Sequence, residues 1–219
     1  MRKSIALLAF LTVLGFAAPR AAVAGPISFT VVGVNDPTLT ASILMNYDPV
    51  LALLSFNITN TSTEYDPRLT GFAFNAPAGV TGISNFTSSP AGWTYSFSSN
   101  GINTPGQFGF FDAAALTGPN LNGGKPNLGI AIGQTVTFGF TLTGSNLASL
   151  TTASFYNLLS SGQNSQPFIA RFQRTGPTGE GSEVAIPGAT PVPEPTSLVL
   201  TGIALAGLAA KRRRSRRSA

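Results

Sequence analysis

The chain has 219 residues, a net charge of +5, and neither cysteine nor histidine. Without those two residue types, disulfides, the usual zinc, copper and haem sites and histidine-dependent nucleophiles are excluded, so no cofactor is expected and only carboxylate chemistry stays open. The positive charge lies at the chain ends, because residues 25–192 hold four basic and seven acidic residues, and this leaves no basic stripe that would bind nucleic acid.

The first 24 residues have the pattern of a Sec-type signal peptide. Arg2 and Lys3 form a positively charged start, residues 5–18 are apolar, and Ala22 and Ala24 are the small residues that a signal peptidase reads. We expect cleavage after Ala24. The alternative is an uncleaved anchor, but a helix over residues 5–18 spans only about 21 Å of a hydrocarbon core about 30 Å thick.

Residues 25–174 are predicted to form one all-β domain. Apolar and polar residues alternate with a period of two, and residues 135–143 show this most clearly. Proline, glycine, asparagine and aspartate separate such segments, and a single helical turn is predicted within residues 147–159. About nine strands are expected, over residues 27–34, 39–47, 54–59, 69–74, 80–86, 93–98, 108–113, 135–143 and 168–173.

The expected architecture of this domain is an antiparallel β-sandwich. Strands with one apolar face and one face of serine, threonine, glycine and asparagine are typical of antiparallel sheets packed face to face. Phenylalanines supply the core, and Trp93 is assigned to it together with Tyr95 and Phe97. The residues expected to be buried side by side in residues 135–143 are Val136, Phe138, Phe140 and Leu142.

The acidic residues of the domain offer the paired carboxylates that a glycosidase would need. Asp36, Asp48 and Asp66 each precede a proline, however, and Asp-Pro commonly opens a turn. We therefore interpret them as turn residues. The glycine-rich residues 118–125, which end in Lys125, lack the spacing of a phosphate-binding loop.

The composition changes after residue 174. Residues 175–191 are rich in glycine, proline and threonine and are predicted to form a semi-extended linker, with a short strand at residues 183–186 as an alternative. Residues 192–219 then hold Pro193, Glu194 and Pro195, followed by an apolar segment expected to form a short transmembrane helix over residues 196–210. The basic residues that follow, within residues 211–217, are Lys211, Arg212, Arg213, Arg214, Arg216 and Arg217.

This basic cluster compensates for the shortness of the apolar segment. Lysine and arginine stems reach the membrane interface, and positive charge disfavours translocation of the end of the segment. An anionic cytoplasmic leaflet attracts the same residues. The cluster should therefore stop transfer at the inner membrane, with the C-terminus in the cytoplasm and the domain outside.

The order of Pro-Glu-Pro, short hydrophobic segment and arginine-rich end resembles the PEP-CTERM sorting signal of Gram-negative bacteria. The resemblance implies that an exosortase, an integral-membrane cysteine transpeptidase, recognises and processes the tail. Pro193, Glu194 and Pro195 are then a substrate motif and not catalytic residues. A plain C-terminal anchor is the alternative. Through residues 89–93, 118–124, 138–144 and 168–172, the stretch 74–172 also resembles β domains of PEP-CTERM proteins of this size, which implies the fold but no chemistry.

These features lead to one hypothesis and two alternatives. The hypothesis is a non-enzymatic protein of the cell envelope or extracellular matrix, exported by way of signal peptidase, sorted by an exosortase and linked to exopolysaccharide or biofilm. The first alternative is a carbohydrate-binding surface module, and the second is a carboxylate-type glycosidase. The aromatic candidates for a sugar platform are Trp93, Tyr47, Tyr156 and Tyr65, of which Tyr65 is expected to be the best exposed.

Overall fold

The computed structural model describes residues 25–188, and the secondary structure of these residues is almost entirely β. The helix α1 (Thr152–Tyr156) and two 3₁₀ turns, at Pro126–Leu128 and Leu147–Ser149, are the helical elements of this part of the chain. All nine predicted strands are present, and a tenth follows them. The strands are β1 (Ile27–Gly33), β2 (Thr40–Asp48), β3 (Leu53–Asn60), β4 (Arg68–Phe74), β5 (Val80–Ser88), β6 (Thr94–Asn103), β7 (Phe110–Leu116), β8 (Thr135–Gly144), β9 (Phe168–Thr175) and β10 (Gly181–Pro187).

The ten strands of the described residues belong to one antiparallel sheet in the order β5-β8-β3-β2-β1-β10-β9-β4-β7-β6. The sheet curves until its edge strands, β5 and β6, meet along a seam. There the rings of Phe86 and Tyr95 lie 5.4 Å apart, and the Tyr95 hydroxyl donates a hydrogen bond to the Ile83 carbonyl at 3.3 Å. The predicted all-β antiparallel fold is confirmed, and its two packed layers are parts of one nearly closed sheet.

The inside of the curved sheet holds the main core, which is rich in phenylalanine. Phe138 of β8 packs against Phe72 of β4 with ring centroids 4.9 Å apart, which joins opposite walls of the sheet. Trp93 is buried beside Phe138 at 4.7 Å, and its indole N–H donates to the Leu128 carbonyl at 2.9 Å, so its one polar group is satisfied. The predicted inward set of β8 is confirmed as buried: Val136, Phe138, Phe140 and Leu142.

The assignment of Tyr95 to the core is wrong. Its side chain is 42% exposed, whereas Trp93 is buried. Tyr95 lies on edge strand β6, where only β7 supplies a hydrogen-bonded neighbour, and its ring covers the seam instead of entering the interior. Alternation along an edge strand is therefore a weaker indicator of burial than alternation along a central one.

A second, smaller apolar cluster lies on the outer face of β4, β7, β9 and β10. Ile169 and Val184 belong to it, and Phe108 and Leu121 reach over it from the connections that flank β7. β7 is consequently covered on both faces, which explains why the consecutive alanines 113–115 are all fully buried. Strands buried on both faces lose the alternating pattern, so the sequence did not reveal this second cluster.

Strand β10 corrects the predicted domain boundary. Within the predicted linker, residues 175–191, the alternative of a short strand at residues 183–186 matches the structure: Gly181–Pro187 pairs with β9 on one side and with β1 on the other. Without β10 the facing edges of β1 and β9 would both lack hydrogen-bond partners. The Gly188 N–H also donates to the Thr30 carbonyl at 2.9 Å, so the domain extends to the last described residue.

Candidate sorting signal and candidate ligand-binding surface

Most of the functional residues predicted from the sequence lie outside the described residues. They are the signal-cleavage residues Ala22 and Ala24, the motif Pro193, Glu194 and Pro195, the segment 196–210, and the basic cluster Lys211, Arg212, Arg213, Arg214, Arg216 and Arg217. Within residues 25–188, no helix has the length and apolar character needed to cross a membrane.

Both ends of the described chain leave the domain at the same end of the sheet. Ile27, at the start of β1, pairs with Met45 near the end of β2, and Gly188 continues β10 alongside β1. Helix α1 lies at this end as well, because the Thr152 hydroxyl accepts a hydrogen bond from the Tyr47 N–H at 3.1 Å. We call this surface the tail end, and it is formed by residues 46–54, 74–80, 98–104, 109–112, 144–168 and 186–188. The opposite surface, the far end, is formed by residues 33–40, 60–69, 88–93, 116–135 and 174–182.

Of the four aromatic candidates for a sugar platform, three are buried. The Tyr47 hydroxyl donates to the Leu147 carbonyl at 2.9 Å, and burial, with a smaller effect of Asp48, raises its pKa. Burial likewise raises the pKa of Tyr156, and Trp93 belongs to the main core. These three side chains therefore act in packing.

Tyr65 is the exposed candidate, as expected. It lies at the far end with half of its side chain exposed and a positive φ of 58°. The neighbouring Asp66 carboxylate pairs with Arg68 at 3.0 Å and with Arg174 at 3.4 Å. The backbone at Tyr65 thus presents the ring to solvent beside a small charged group.

Several carboxylates of the domain are used within the fold. Asp36 accepts hydrogen bonds from the N–H and hydroxyl of Thr38 at 3.0 and 2.6 Å. Asp48 accepts hydrogen bonds from the N–H groups of Val50 and Leu51 in its own turn. The interpretation of these two residues as turn residues is confirmed.

Asp112 accepts hydrogen bonds from the N–H groups of Ala76 and Asn100 at 2.9 and 2.7 Å, and so joins two loops. Residues 25–188 contain no group of three or more acidic side chains placed to share a metal ion.

An open groove of about 340 Å³ lies on the outer face of the sheet beside β10. Arg171 of β9 lines it and donates to the Ser182 hydroxyl at 2.6 Å, while its Nε–H is buried without a hydrogen-bond partner in the described residues. Burial lowers the pKa of Arg171, and the Glu183 carboxylate partly offsets this effect. On the opposite wall the Asn164 amide donates to the Gln107 amide at 3.2 Å.

Such a groove can offer planar amide and guanidinium groups to a neutral polar ligand. Sequence reasoning missed it because its lining comes from β9, β10 and two long connections that are distant in the chain. The available signal was Arg171, a charged residue at an outward position between the apolar residues at the start of β9.

The comparison with protein families finds one match, at the C-terminus. Residues 191–214 match the model of the PEP-CTERM protein-sorting motif. The resemblance seen in the sequence is therefore confirmed, and the β-rich domain in front of the motif is consistent with it. Neither the curated proteins nor the solved structures give a match to this chain.

A PEP-CTERM motif implies export, membrane-associated sorting and processing by an exosortase. This defines the class of protein: an exported β domain whose C-terminal signal another enzyme reads. The motif begins at residue 191, three residues after the last described hydrogen bond of the sheet, so the signal follows the domain almost directly.

Proposed function

We propose that this chain is a non-enzymatic protein of the cell envelope or extracellular matrix. The signal peptide directs its export, and the segment 196–210 with its basic cluster holds the precursor in the inner membrane. Exosortase processing then transfers the domain to its final location. The observation that carries this proposal is the match of residues 191–214 to the sorting motif.

The chemistry of the domain supports a non-enzymatic role. Asp36 and Asp48 are engaged by backbone N–H groups of their own turns, and Asp112 by N–H groups of two other segments. Asp66 is paired with two arginines. A glycosidase needs two carboxyl groups about 5 to 9.5 Å apart that are free to act as acid and as base or nucleophile. Carboxylates that hold loops together are poor candidates for those tasks.

The outward face of the sheet supports placement in a hydrated layer such as exopolysaccharide. Outward residues of β2, β3 and β8 carry hydroxyl and amide groups, and they hydrogen-bond across strands, as Thr137 does to Asn57 at 2.8 Å and Thr59 to Thr135 at 2.7 Å. A neutral, hydroxyl-rich surface can exchange hydrogen bonds with sugar hydroxyls without charge repulsion.

Replacing Glu194 by Ala tests the sorting role. The prolines on either side lack N–H groups and disfavour helix, so we expect a protease to be able to read Glu194. The substitution leaves the apolar segment and the basic cluster unchanged. We expect full-length precursor to accumulate in the inner membrane, seen as an unprocessed band by immunoblotting of membrane and extracellular fractions.

The matched control is Glu64→Ala, which removes an exposed carboxylate from the far end and should leave processing unchanged. Replacing the basic cluster by serines separates sorting from anchoring, because it weakens the stop and the orientation and leaves Glu194 intact. If Glu194→Ala is processed and released like the wild type, Pro-Glu-Pro is incidental and the tail is only an anchor.

A carbohydrate-binding module is the second candidate, and the groove beside β10 favours it. Arg171, Gln107 and Asn164 place hydrogen-bonding side chains around one open volume. Binding of the mature protein to a glycan array would test this candidate. Asn164→Ala should then weaken binding several-fold, whereas Asn122→Ala, in the exposed connection after β7, should not. Equal binding by both variants, or no binding by the wild type, would reject it.

A further inference from the structure

The three most exposed large aliphatic side chains of the described residues lie at the tail end, whereas the less exposed Val34 and Ile132 lie at the far end. Val50 is 90% exposed, Leu51 60% and Leu159 59%. Leu159 borders a shallow hollow that Tyr156, Pro167, Pro187 and Gly188 also line, so it stands next to the point where the chain leaves the domain. Exposed apolar side chains concentrated on one surface commonly mark a contact with a protein or a membrane.

The fold does not require Val50 and Leu51 to be apolar. They lie in the turn between β2 and β3, where the Asp48 carboxylate accepts hydrogen bonds from both of their N–H groups at 2.8 and 3.1 Å. Ala52 completes the turn with a positive φ of 49°. Polar residues and glycine usually fill such positions, so two large aliphatic side chains here serve something other than the turn.

The tail end is also nearly free of charge. Among residues 46–54, 74–80, 98–104, 109–112, 144–168 and 186–188, the charged residues are Asp48 and Asp112, and both carboxylates accept hydrogen bonds from backbone N–H groups. The far end, in contrast, carries Arg68, Lys125 and Arg174 together with several acidic residues. Removing water from a charged surface is costly, so the tail end is the surface that can approach a lipid interface at the lowest cost.

The length of chain beyond the domain keeps this surface close to the membrane. Gly188 is still hydrogen-bonded to β1, and the predicted membrane segment begins at residue 196. Whatever their conformation, the intervening residues span at most about 29 Å. Tethering at this distance makes contact with the bilayer an intramolecular event, so a few apolar side chains are enough to favour it.

We propose that the tail end rests on the outer surface of the inner membrane while the sorting signal anchors the precursor. The occupant of this surface is lipid: Val50 and Leu51 enter the headgroup region, and Leu159 contacts it beside the chain exit. This inference rests on the proposed function, because the anchored segment sets the distance. The contact orients the domain while the sorting motif is within reach of a membrane enzyme.

Single cysteines can test the contact, because the chain has none of its own. An environment-sensitive fluorophore is placed at Leu51→Cys, at Ile132→Cys in the far end as the matched control, and at Leu200→Cys in the apolar segment. Ile132 is 41% exposed, so both domain positions accept a label without disturbing the core. The full-length protein is then reconstituted in phosphatidylcholine–phosphatidylglycerol vesicles that contain a lipid-borne quencher.

The expected result is blue-shifted emission and several-fold stronger quenching at position 51 than at position 132. Adding Val50→Asn to the Leu51→Cys protein should reduce the quenching, whereas adding Val34→Asn, a far-end change, should not. Equal quenching at positions 51 and 132, with position 200 buried in lipid, would show that the tail end does not contact the membrane although the apolar segment is inserted.

Other outcomes decide against the proposal in different ways. A label at position 200 that remains in water overturns the anchor and the docking surface together. A blue shift at position 51 that persists in detergent and grows with protein concentration shows a second copy of the chain on this surface, which overturns lipid as its occupant.

Discussion

The two faces of the same sheet carry cores of different construction. The inner core receives side chains from most strands, and phenylalanines from opposite walls contact each other within it. The outer cluster covers β4, β7, β9 and β10 with Ile102 of β6, and it depends on Phe108 and Leu121 from connecting segments. The inner core therefore determines the fold, whereas the outer cluster positions the connections and, through Phe108, one wall of the groove.

The largest expected effect is in the inner core. Phe138→Ala removes a fully buried ring that contacts Phe72 and Trp93. We expect the free energy of unfolding to fall by about 3 to 5 kcal/mol, as for other large deletions in cores. Denaturant unfolding followed by the fluorescence of Trp93, the one tryptophan of the chain, measures it. A loss below about 1 kcal/mol would show that this strand is packed differently.

A smaller and more local effect is expected in the outer cluster. Leu121 is buried over Gly71, where any side chain would come within about 3.0 Å of it. Leu121→Ala should cost about 2 kcal/mol, the low end for such deletions, because the connection that carries it can relax. Hydrogen exchange should rise first in residues 117–125. A loss as large as that of Phe138→Ala would mean that both clusters are equally integral to the fold.

The smallest effects are expected in the turn between β2 and β3. Asp48→Ala removes two hydrogen bonds to exposed backbone N–H groups and should cost about 1 kcal/mol. Val50→Asn should change stability by less than about 0.5 kcal/mol, because the side chain is 90% exposed. Thermal unfolding of both variants tests this order. A larger loss for Val50→Asn would show that Val50 has a packing role.

The sequence predicted those parts of the fold in which one face is buried and the other is wet. Residues 135–143 are an example, because β8 is paired on both sides, with β5 and β3, and its outer face meets solvent. The buried alanines 113–115 and β10 were harder to recognise, since β7 is covered on both faces and β10 follows a run of turn residues. Tyr95 was misplaced because the closure of an edge seam depends on the curvature of the whole sheet.

The candidate sites also differ in how far the sequence alone reveals them. The sorting motif could be recognised from the sequence because another enzyme reads it as a linear peptide, so neighbouring residues in the chain carry the signal. The groove beside β10 could not, because Arg171, Gln107 and Asn164 become neighbours only after β10 completes the sheet. Tyr65 is an intermediate case, because the turn residues around it predict that it is exposed but do not indicate a ligand.

We predict that the domain reaches its destination without either end of the chain. The intact mass of the protein recovered outside the inner membrane tests this most directly. We expect an N-terminus at Gly25 and a C-terminus that lacks the basic cluster, so the polypeptide should be lighter than residues 25–219. A recovered chain that still contains Lys211 to Arg217, or one that begins at Met1, would contradict it.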